Sequence, residues 1–323
     1  ADRRAWRDKY CPTFIGEDSK MLEIFGIIER IADTGCHVLV TGPSGTGKEL
    51  VARAVHNASN RSDNPFVAVN CAAIPKELME SEIFGHAKGA FTGANERRDG
   101  KFAQADGGTL FLDEIGEMDM SLQGKFLRVI QEQEFTPVGE SKPRKADVRI
   151  VSATNRDLLK NSTEGTFRED LYYRLNVIPI QMPALAERPR DGSLWVEHFI
   201  ARAIQRHGRY VSGVEDEVMR MFTNYAWPGN VRELENMVER IVILKRDDGH
   251  ITRADLPPMF SDSADNPNLG AVSLPEEGIN IKQALEDLES KLTLDALRRS
   301  KGNKAKAAEL LGLKRTTLIE RLK

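Results

Sequence analysis

The sequence predicts an α/β protein with a mostly parallel sheet, followed by a smaller helical domain and a basic C-terminal segment. Short apolar runs alternate with helical patterns through the first half of the chain, which is typical of a parallel sheet covered by helices. Between Asp191 and Lys245 the apolar residues recur only at helical spacing, so we expect no strands there. Residues 298–323 carry nine basic and two acidic side chains, although the net charge of the whole chain is −3. Such asymmetry indicates a basic binding module attached to an acidic body.

Length and composition exclude several classes of protein. The chain has 323 residues, of which 40% are hydrophobic and 29% charged, a composition typical of a soluble protein with two or three domains. No apolar run is long enough to cross a bilayer, and the charged N-terminus does not resemble a signal peptide. Cys11, Cys36 and Cys71 lie far apart, which argues against a disulfide framework or a zinc site. We therefore expect a cytoplasmic protein without membrane contact.

The first predicted strand, residues 38–40, precedes a glycine-rich loop and a helix at about residues 49–58. The further predicted strands are residues 66–69, 110–112, 148–153 and 177–180.

Four segments follow from these patterns. Residues 261–275 are rich in Ser, Asp, Asn, Pro and Gly, which marks a linker. After it, two short helices are expected near residues 304–311 and 315–322, joined by a turn at Gly312. The predicted boundaries are 1–183 for the α/β domain, 184–258 for the helical domain, 259–278 for the linker and 279–323 for the C-terminal domain.

The glycine-rich loop after the first strand has the pattern of a phosphate-binding loop. Its glycines let backbone N–H groups turn inward around phosphates, its lysine reaches the outer phosphates, and the following helix contributes its positive end. A plain turn between a strand and a helix is the alternative, which the strand–loop–helix context disfavours. Glu49 stands where the general pattern has Ser or Thr, so Mg²⁺ must depend on water and a second motif. The predicted ATP-binding residues here are Gly42, Pro43, Ser44, Gly45, Thr46, Gly47, Lys48, Glu49 and Leu50.

That second motif is an acidic pair at the end of the apolar run 110–112. A buried strand that ends in two acids places Asp113 towards Mg²⁺ and Glu114 towards the water that attacks the γ-phosphate. Alone, such a pair is more often a solvated loop. Because it follows a phosphate-binding loop, we interpret Asp113 and Glu114 as catalytic, with Asp113 as the metal ligand.

Residues 89–94 carry the most specific motif of the chain, Gly-Ala-Phe-Thr-Gly-Ala. This hexapeptide resembles that of the bacterial sigma-54-dependent transcription activators, the NtrC-like branch of the AAA+ family. Four further segments of the chain also resemble that family: residues 82–86, 106–109, 165–171 and 227–234. The resemblance extends from about Phe14 to the C-terminus. It implies an AAA+ P-loop ATPase with an α/β subdomain, a helical lid and a Fis-type helix-turn-helix.

The resemblance also implies roles for individual residues. Asn70 resembles the residue that restrains the catalytic glutamate until ATP signals to the partner-binding loop. Thr154 and Asn155 look like the first sensor of the γ-phosphate. Arg168 and Arg174 resemble arginine fingers that reach the ATP of the neighbouring subunit, and such charge neutralisation accelerates phosphoryl transfer strongly. In the helical lid, Arg232 resembles the second sensor of the nucleotide.

The hexapeptide itself allows two interpretations. It is either an ordinary mobile loop with its Phe91 ring in the core, or a protruding loop that docks on a partner. We favour the second, because an apolar tip lies between glycines where no strand pattern is near. In the family this loop contacts sigma-54, which here implies Gly89, Ala90, Phe91, Thr92, Gly93 and Ala94.

Two features depart from the family pattern. Residues 184–188 read Ala-Leu-Ala-Glu-Arg where the family usually has Pro-Leu-Arg-Glu-Arg, which concerns contacts between the two ATPase subdomains. Only linker-like sequence precedes Phe14, so the usual N-terminal receiver or sensory domain, the input of a two-component system, is expected to be absent.

Residues 303–323 resemble the Fis-type helix-turn-helix that ends such activators. Ala307, Ala308 and Leu311 form one apolar face, and Leu318 and Leu322 bury the next helix. A basic solvated helical hairpin is the alternative. Residues 274–279 and 315–318 look like flagellar-type regulators of the family. The predicted DNA-binding residues are Lys304, Lys314, Arg315, Thr316, Thr317 and Arg321.

Together these motifs predict an activator that binds upstream double-stranded DNA and remodels sigma-54 RNA polymerase holoenzyme with energy from ATP. The family implies a homo-oligomeric ring, hexameric or heptameric. The alternative is a DNA-binding repressor whose nucleotide site controls only assembly. Intact Asp113, Glu114, Arg168 and Arg174 weigh against it.

Overall fold

The computed structural model describes residues 3–245, 247–260, 293, 296, 300, 303–310 and 312–313. Its helices are α1 (Arg3–Tyr10), α2 (Ser19–Ile31), α3 (Lys48–Asn57), α4 (Lys76–Phe84), α5 (Lys101–Gln104), α6 (Met120–Glu132), α7 (Leu158–Thr163), α8 (Glu169–Leu175), α9 (Pro189–His207), α10 (Asp216–Asn224), α11 (Asn230–Leu244) and α12 (Lys304–Leu310). Its strands are β1 (Val38–Thr41), β2 (Phe66–Asn70), β3 (Gly85–His86), β4 (Arg98–Asp99), β5 (Thr109–Asp113), β6 (Glu134–Phe135), β7 (Arg144–Lys145), β8 (Arg149–Thr154), β9 (Ile178–Gln181), β10 (Gly213–Val214) and β11 (His250–Ile251). Within these ranges, no helix has both the length and the apolar character needed to cross a membrane.

Five parallel strands form the central sheet in the order β2-β5-β8-β1-β9. Each coincides with one of the five predicted apolar runs, so the parallel α/β fold is confirmed. The register places Thr41 beside Thr154 and Asn70 beside Asp113. Because the strands are parallel, their carboxyl ends meet at one edge, where ligands bind in open α/β sheets.

The strands are apolar along their length because both faces of the sheet are covered. One face packs against α2 and α3, where Phe25 and Val55 are fully buried. The other face packs against helices from α4 to α8, with Ile83 and Phe126 fully buried. The phosphate loop and the acidic pair therefore extend from a rigid, two-sided core.

Helices α9, α10 and α11 form the helical subdomain, which we call the lid. Within it, the indole N–H of Trp227 donates a 2.7 Å hydrogen bond to the carbonyl of Phe222. The expectation that no strand occurs between Asp191 and Lys245 is wrong, since β10 pairs in parallel with β11. Each of these strands has two residues, too few to produce a period-two pattern.

The segment before Phe14 also differs from the expected linker, because α1 forms there. The ring of Trp6 lies 6.4 Å from that of Phe25, and Phe14 meets Phe25 edge-on at 5.2 Å. Helix α1 is thus fixed by aromatic contacts with α2 rather than by an apolar stripe of its own.

The contacts divide the chain into two compact units, residues 1–257 and 258–323. In the second unit, Ala307 and Ala308 of α12 are buried with Ala296, and Lys304 is exposed. The predicted helix near 315–322, the linker residues 261–275 and Lys314, Arg315, Thr316, Thr317 and Arg321 lie outside the described residues.

Arg149 ties the start of β8 to the end of α2. Its guanidinium is buried and donates to the carbonyls of Ala32 (2.8 Å), Ile31 (2.9 Å) and Cys36 (3.3 Å). Burial lowers the pKa of this arginine to about 10. The guanidinium thus adds donors at the end of α2, where the carbonyl of Ile31 also accepts from Thr34.

We expect Arg149→Leu to lower the free energy of unfolding by about 3 kcal/mol, because three hydrogen bonds of a buried cation are lost, among them the bond to the carbonyl of Ala32. Chemical denaturation of the full chain measures this change. Arg206→Leu is the matched control, since Arg206 forms only an exposed pair with Glu239, and such pairs contribute about 1 kcal/mol or less. Equal stability of the Arg149 and Arg206 variants would contradict the assignment.

Candidate functional site

The phosphate loop, residues 42–48, connects β1 to α3. Its geometry requires glycine at two positions that lie close to other backbone atoms. A Cβ atom on Gly42 would lie 2.5 Å from the carbonyl oxygen of Met182, and one on Gly45 would lie 2.3 Å from that of Gly229. Both residues also have positive φ, 148° and 76°. The loop therefore holds one conformation directly before the positive end of a helix.

The ammonium group of Lys48 joins the loop to the acidic pair. Its side chain is buried, and Nζ donates to the carbonyls of Gly42 (3.0 Å) and Pro43 (3.3 Å). Nζ also lies 3.8 Å from Oε1 of Glu114. Burial lowers the pKa of Lys48, and the charges of Glu114 and Asp113 oppose that shift.

The acidic pair lies at the carboxyl end of β5, as predicted. Glu114 has a left-handed backbone with φ 52°, which is uncommon for a residue with a side chain. Its Oε2 accepts a 3.3 Å hydrogen bond from the backbone N–H of Asn155. Asp113 accepts from the N–H of Glu114 at 3.1 Å, and burial followed by the charge of Glu114 raises its pKa.

A cleft of about 1030 Å³ opens between the sheet edge and the lid. Residues 44–48 of the phosphate loop, both acids, Asn70 and Arg232 line it, so these predicted residues share one cavity. Trp195 and His198 of α9 also line it. Sequence reasoning missed these two because the apolar spacing of α9 predicts a packed core helix rather than a ligand pocket.

Other predicted residues have different surroundings. Oδ1 of Asn70 accepts from the N–H of Ala72 at 2.9 Å, and no hydrogen bond to Glu114 occurs within the described residues. The side chain of Thr154 is buried and accepts from the N–H of Arg156 at 3.0 Å, whereas Asn155 is exposed beside the cleft.

The two predicted arginine fingers flank helix α8. Arg168 precedes the helix and forms a 2.7 Å ion pair with Asp170. Arg174 lies in its last turn, is exposed, and has no hydrogen bond or ion pair among the described residues. Its charge, second to burial, lowers the pKa of His37 to about 4. His37 directly precedes β1, and its carbonyl accepts from the N–H of Ile178, so the charge of Arg174 acts at the amino end of β1. The phosphate loop follows the other end of this strand.

The 89–94 loop connects β3 to β4, which pair antiparallel. The expectation that no strand lies near this loop is therefore wrong. Phe91 is 38% exposed with its ring 5.0 Å from that of His86, so the ring is not in the core. Gly89 and Gly93 have φ values of 79° and 104°, which only glycine adopts readily. The two glycines allow the tight turn that presents Phe91 at the tip of the loop, beyond the short β3–β4 pair.

Three family models match the chain. The Sigma-54 interaction domain matches residues 14–181, the AAA+ ATPase lid domain matches 186–271, and the Bacterial regulatory protein, Fis family, matches 284–323.

Individual relatives agree with these matches. The chain is 45% identical over 308 residues to the transcriptional regulatory protein ZraR of Salmonella typhimurium, covering 95% of this chain and 68% of ZraR. It is 43% identical over 333 residues to the DNA-binding transcriptional regulator NtrC of Rhizobium meliloti, covering 96% and 69%. The structure of NtrX from Brucella abortus in complex with ATP superposes with a TM-score of 0.72 at 37% identity, covering 96% of this chain and 68% of NtrX.

Fold, cleft and comparisons define the class of this protein: it is a P-loop ATPase of the AAA+ type with a helical lid. The chain belongs to the family of sigma-54-dependent transcription activators. Accordingly it binds ATP, interacts with sigma-54 and DNA, and activates transcription at the expense of ATP hydrolysis.

We expect Glu114→Gln to bind ATP but to lower kcat by about 10²–10⁴-fold, because an amide does not polarise the attacking water as a carboxylate does. Steady-state phosphate release and equilibrium ATP binding measure the two effects. Lys48→Ala is the comparison variant, which loses nucleotide binding because the loop loses its side-chain cation. Near-normal hydrolysis by Glu114→Gln would remove Glu114 from the chemistry.

Proposed function

We propose that ATP binds at the phosphate loop and that Glu114 polarises the water that attacks the γ-phosphate. One observation carries this proposal: Lys48, Glu114 and the N–H of Asn155 converge at the edge of a large cleft. In this arrangement Lys48 holds the outer phosphates, and its ammonium group, 3.8 Å from Glu114, couples the position of the acid to phosphate binding. Arg232 approaches the same cleft from the lid and acts as the second sensor.

Mg²⁺ fits this site through Asp113. A carboxylate at the end of a buried strand is the type of ligand that Mg²⁺ takes in nucleotide sites, where it neutralises phosphate charge. Glu49, at the position usually held by Ser or Thr, instead pairs with Arg53 at 2.7 Å. Asp113 and water molecules would therefore be the ligands of Mg²⁺ other than the nucleotide.

The proposed domain boundaries are 1–183, 184–258, 259–278 and 279–323. The five-stranded sheet ends at Gln181, and the first compact unit ends at Pro257, which supports the first two divisions. The C-terminal domain contacts DNA through Lys304 together with Lys314, Arg315, Thr316, Thr317 and Arg321. On α12, Lys304 is exposed whereas Ala307 and Ala308 are buried, which supports a DNA contact through Lys304.

Arg174 acts on the ATP of a neighbouring subunit in a homo-oligomeric ring of six or seven copies. The phosphate loop of the same subunit lies at the opposite end of β1 from Arg174, because His37 precedes that strand and the loop follows it. A four-residue strand separates the two ends by roughly 10 Å before either loop is counted. An exposed arginine with no partner among the described residues is available to a second copy. Arg168, which is half-buried at the start of the same helix, is the second residue that we propose for this role in trans.

We expect Arg174→Ala to lower turnover by about 10³-fold or more while monomers still bind ATP, because the lost charge belongs to the neighbour's site. Mixing this variant with Lys48→Ala subunits should restore part of the turnover. Restoration arises only at interfaces that pair an intact loop with an intact arginine. ATPase assays over a range of mixing ratios measure it, and absence of any restoration would contradict action in trans.

The 89–94 loop is the surface that docks on sigma-54. Its exposed Phe91 and the neighbouring Thr92 form an apolar tip, and buried Ala94 anchors one side of the loop. Short β3 and β4 give the loop a defined base, so movement of the base carries the tip with it. ATP hydrolysis at the sheet edge then changes the position of the tip and remodels the polymerase.

We expect Thr92→Ala to retain ATP hydrolysis and ring assembly but to weaken the complex with sigma-54 about 30-fold, the loss of a contact worth about 2 kcal/mol. ATPase rate, assembly and sigma-54 binding are measured on one preparation. Thr223→Ala, an exposed lid threonine, serves as the matched control. Full activation by the Thr92 variant would remove the loop from the interface, and loss of ATPase would place it in the catalytic core.

A further inference from the structure

The lid donates a hydrogen bond to each of three consecutive carbonyls of the phosphate loop. Nδ2 of Asn230 donates to Ser44 at 2.8 Å, the N–H of Val231 donates to Gly45 at 3.0 Å, and Nη2 of Arg188 donates to Thr46 at 3.0 Å. Three donors therefore hold these oxygens on the lid side of the loop.

This arrangement bears on phosphate binding because a peptide unit points its oxygen and its N–H in opposite directions. A loop cradles phosphate only when successive N–H groups face the same concavity. Donors that fix the carbonyls outward thus keep the N–H groups inward before the anion arrives. Such preorganisation spares the cost of ordering the loop on binding.

Asn230 is fitted to this task by its backbone as well as its amide. It begins α11 with φ 54°, a left-handed conformation that Asn and Asp tolerate better than other residues with side chains. Its side chain is 2% exposed. Besides its bond to Ser44, its Oδ1 accepts from the N–H of Leu185 at 2.8 Å. One amide therefore joins the loop, the start of α11 and the turn before α9.

Arg188 is fixed from the opposite side. It is fully buried, and Nη1 lies 3.9 Å from Asp191 Oδ2. Oδ1 of Asp191 in turn accepts from the N–H groups of Glu17 and Asp18 at 2.7 and 2.9 Å. The Arg188 side chain that bonds Thr46 is thus positioned by Asp191, which also accepts hydrogen bonds from the residues just before α2.

We propose that Asn230 and Arg188 are positioning residues for nucleotide binding, which hold the carbonyls of Ser44 and Thr46 away from the phosphates. This inference rests on the proposed nucleotide site at the phosphate loop. Neither residue lines the cleft. Each acts through the loop, and binding of phosphate and seating of the lid therefore stabilise each other.

The test uses two substitutions of Asn230 in the full chain. Asn230→Asp keeps the acceptor for Leu185 and the left-handed backbone but removes the donor to Ser44. Asn230→Gly keeps the backbone, removes the side chain and adds no charge. Both should raise the dissociation constants of ATP and ADP about tenfold, the loss of one well-placed hydrogen bond. The KM for ATP should rise similarly, with kcat at saturating ATP nearly unchanged.

Trp227→Phe is the matched control, because it removes a buried lid hydrogen bond that does not involve the loop. It should reduce thermal stability without changing nucleotide affinity. Equal affinity of the wild type and both Asn230 variants, with Lys48→Ala unable to bind, would overturn the positioning role while sparing the proposed site. Normal binding by Lys48→Ala would overturn the site itself. A fall in kcat with unchanged KM would also contradict positioning.

Discussion

The parallel register of β5, β8 and β1 is the constraint on which the site depends. It brings the acids at the carboxyl end of β5, the polar turn after β8 and the loop after β1 to one edge of the sheet. These three segments are distant in sequence and carry little structure of their own. Lys48 then joins two of them, because its buried ammonium contacts both the loop carbonyls and Glu114. Displacement of one strand by one residue would turn its side chains to the other face and separate these groups.

Besides Arg232, which lines the cleft, the lid contributes order to this edge. Its helices pack around their own core, yet its first turns supply donors to the phosphate loop. The substituted segment 184–188 retains Arg188, and of the two positions that depart from the family, Ala184 is half-buried and Ala186 is exposed. The buried subdomain contact therefore survives this departure. Because the lid contacts the backbone of the phosphate loop, it can respond to nucleotide binding without a large movement of Asp113 and Glu114.

Much of the fold could be predicted from the sequence because its signals are local. Each central strand is a short apolar run, and the phosphate loop carries glycines at positions that steric contact requires. The strands β10 and β11 and helix α1 could not be predicted in this way, since two-residue pairing and aromatic docking leave no periodic pattern. Asn230 and Arg188 escaped sequence reasoning for another reason. Their function depends on backbone oxygens far along the chain, which no side-chain pattern reveals.

The left-handed backbone of Glu114 has a consequence for the history of this site. Residues with side chains pay roughly 1 kcal/mol or more for that conformation, and glycine does not. Glycine at this position would relieve that backbone cost, but it would also remove the carboxylate beside Lys48. Selection for stability alone and selection for ATP turnover favour different residues here. Under the proposed role of Glu114, the benefit of the carboxylate to ATP turnover outweighs the cost of its backbone conformation.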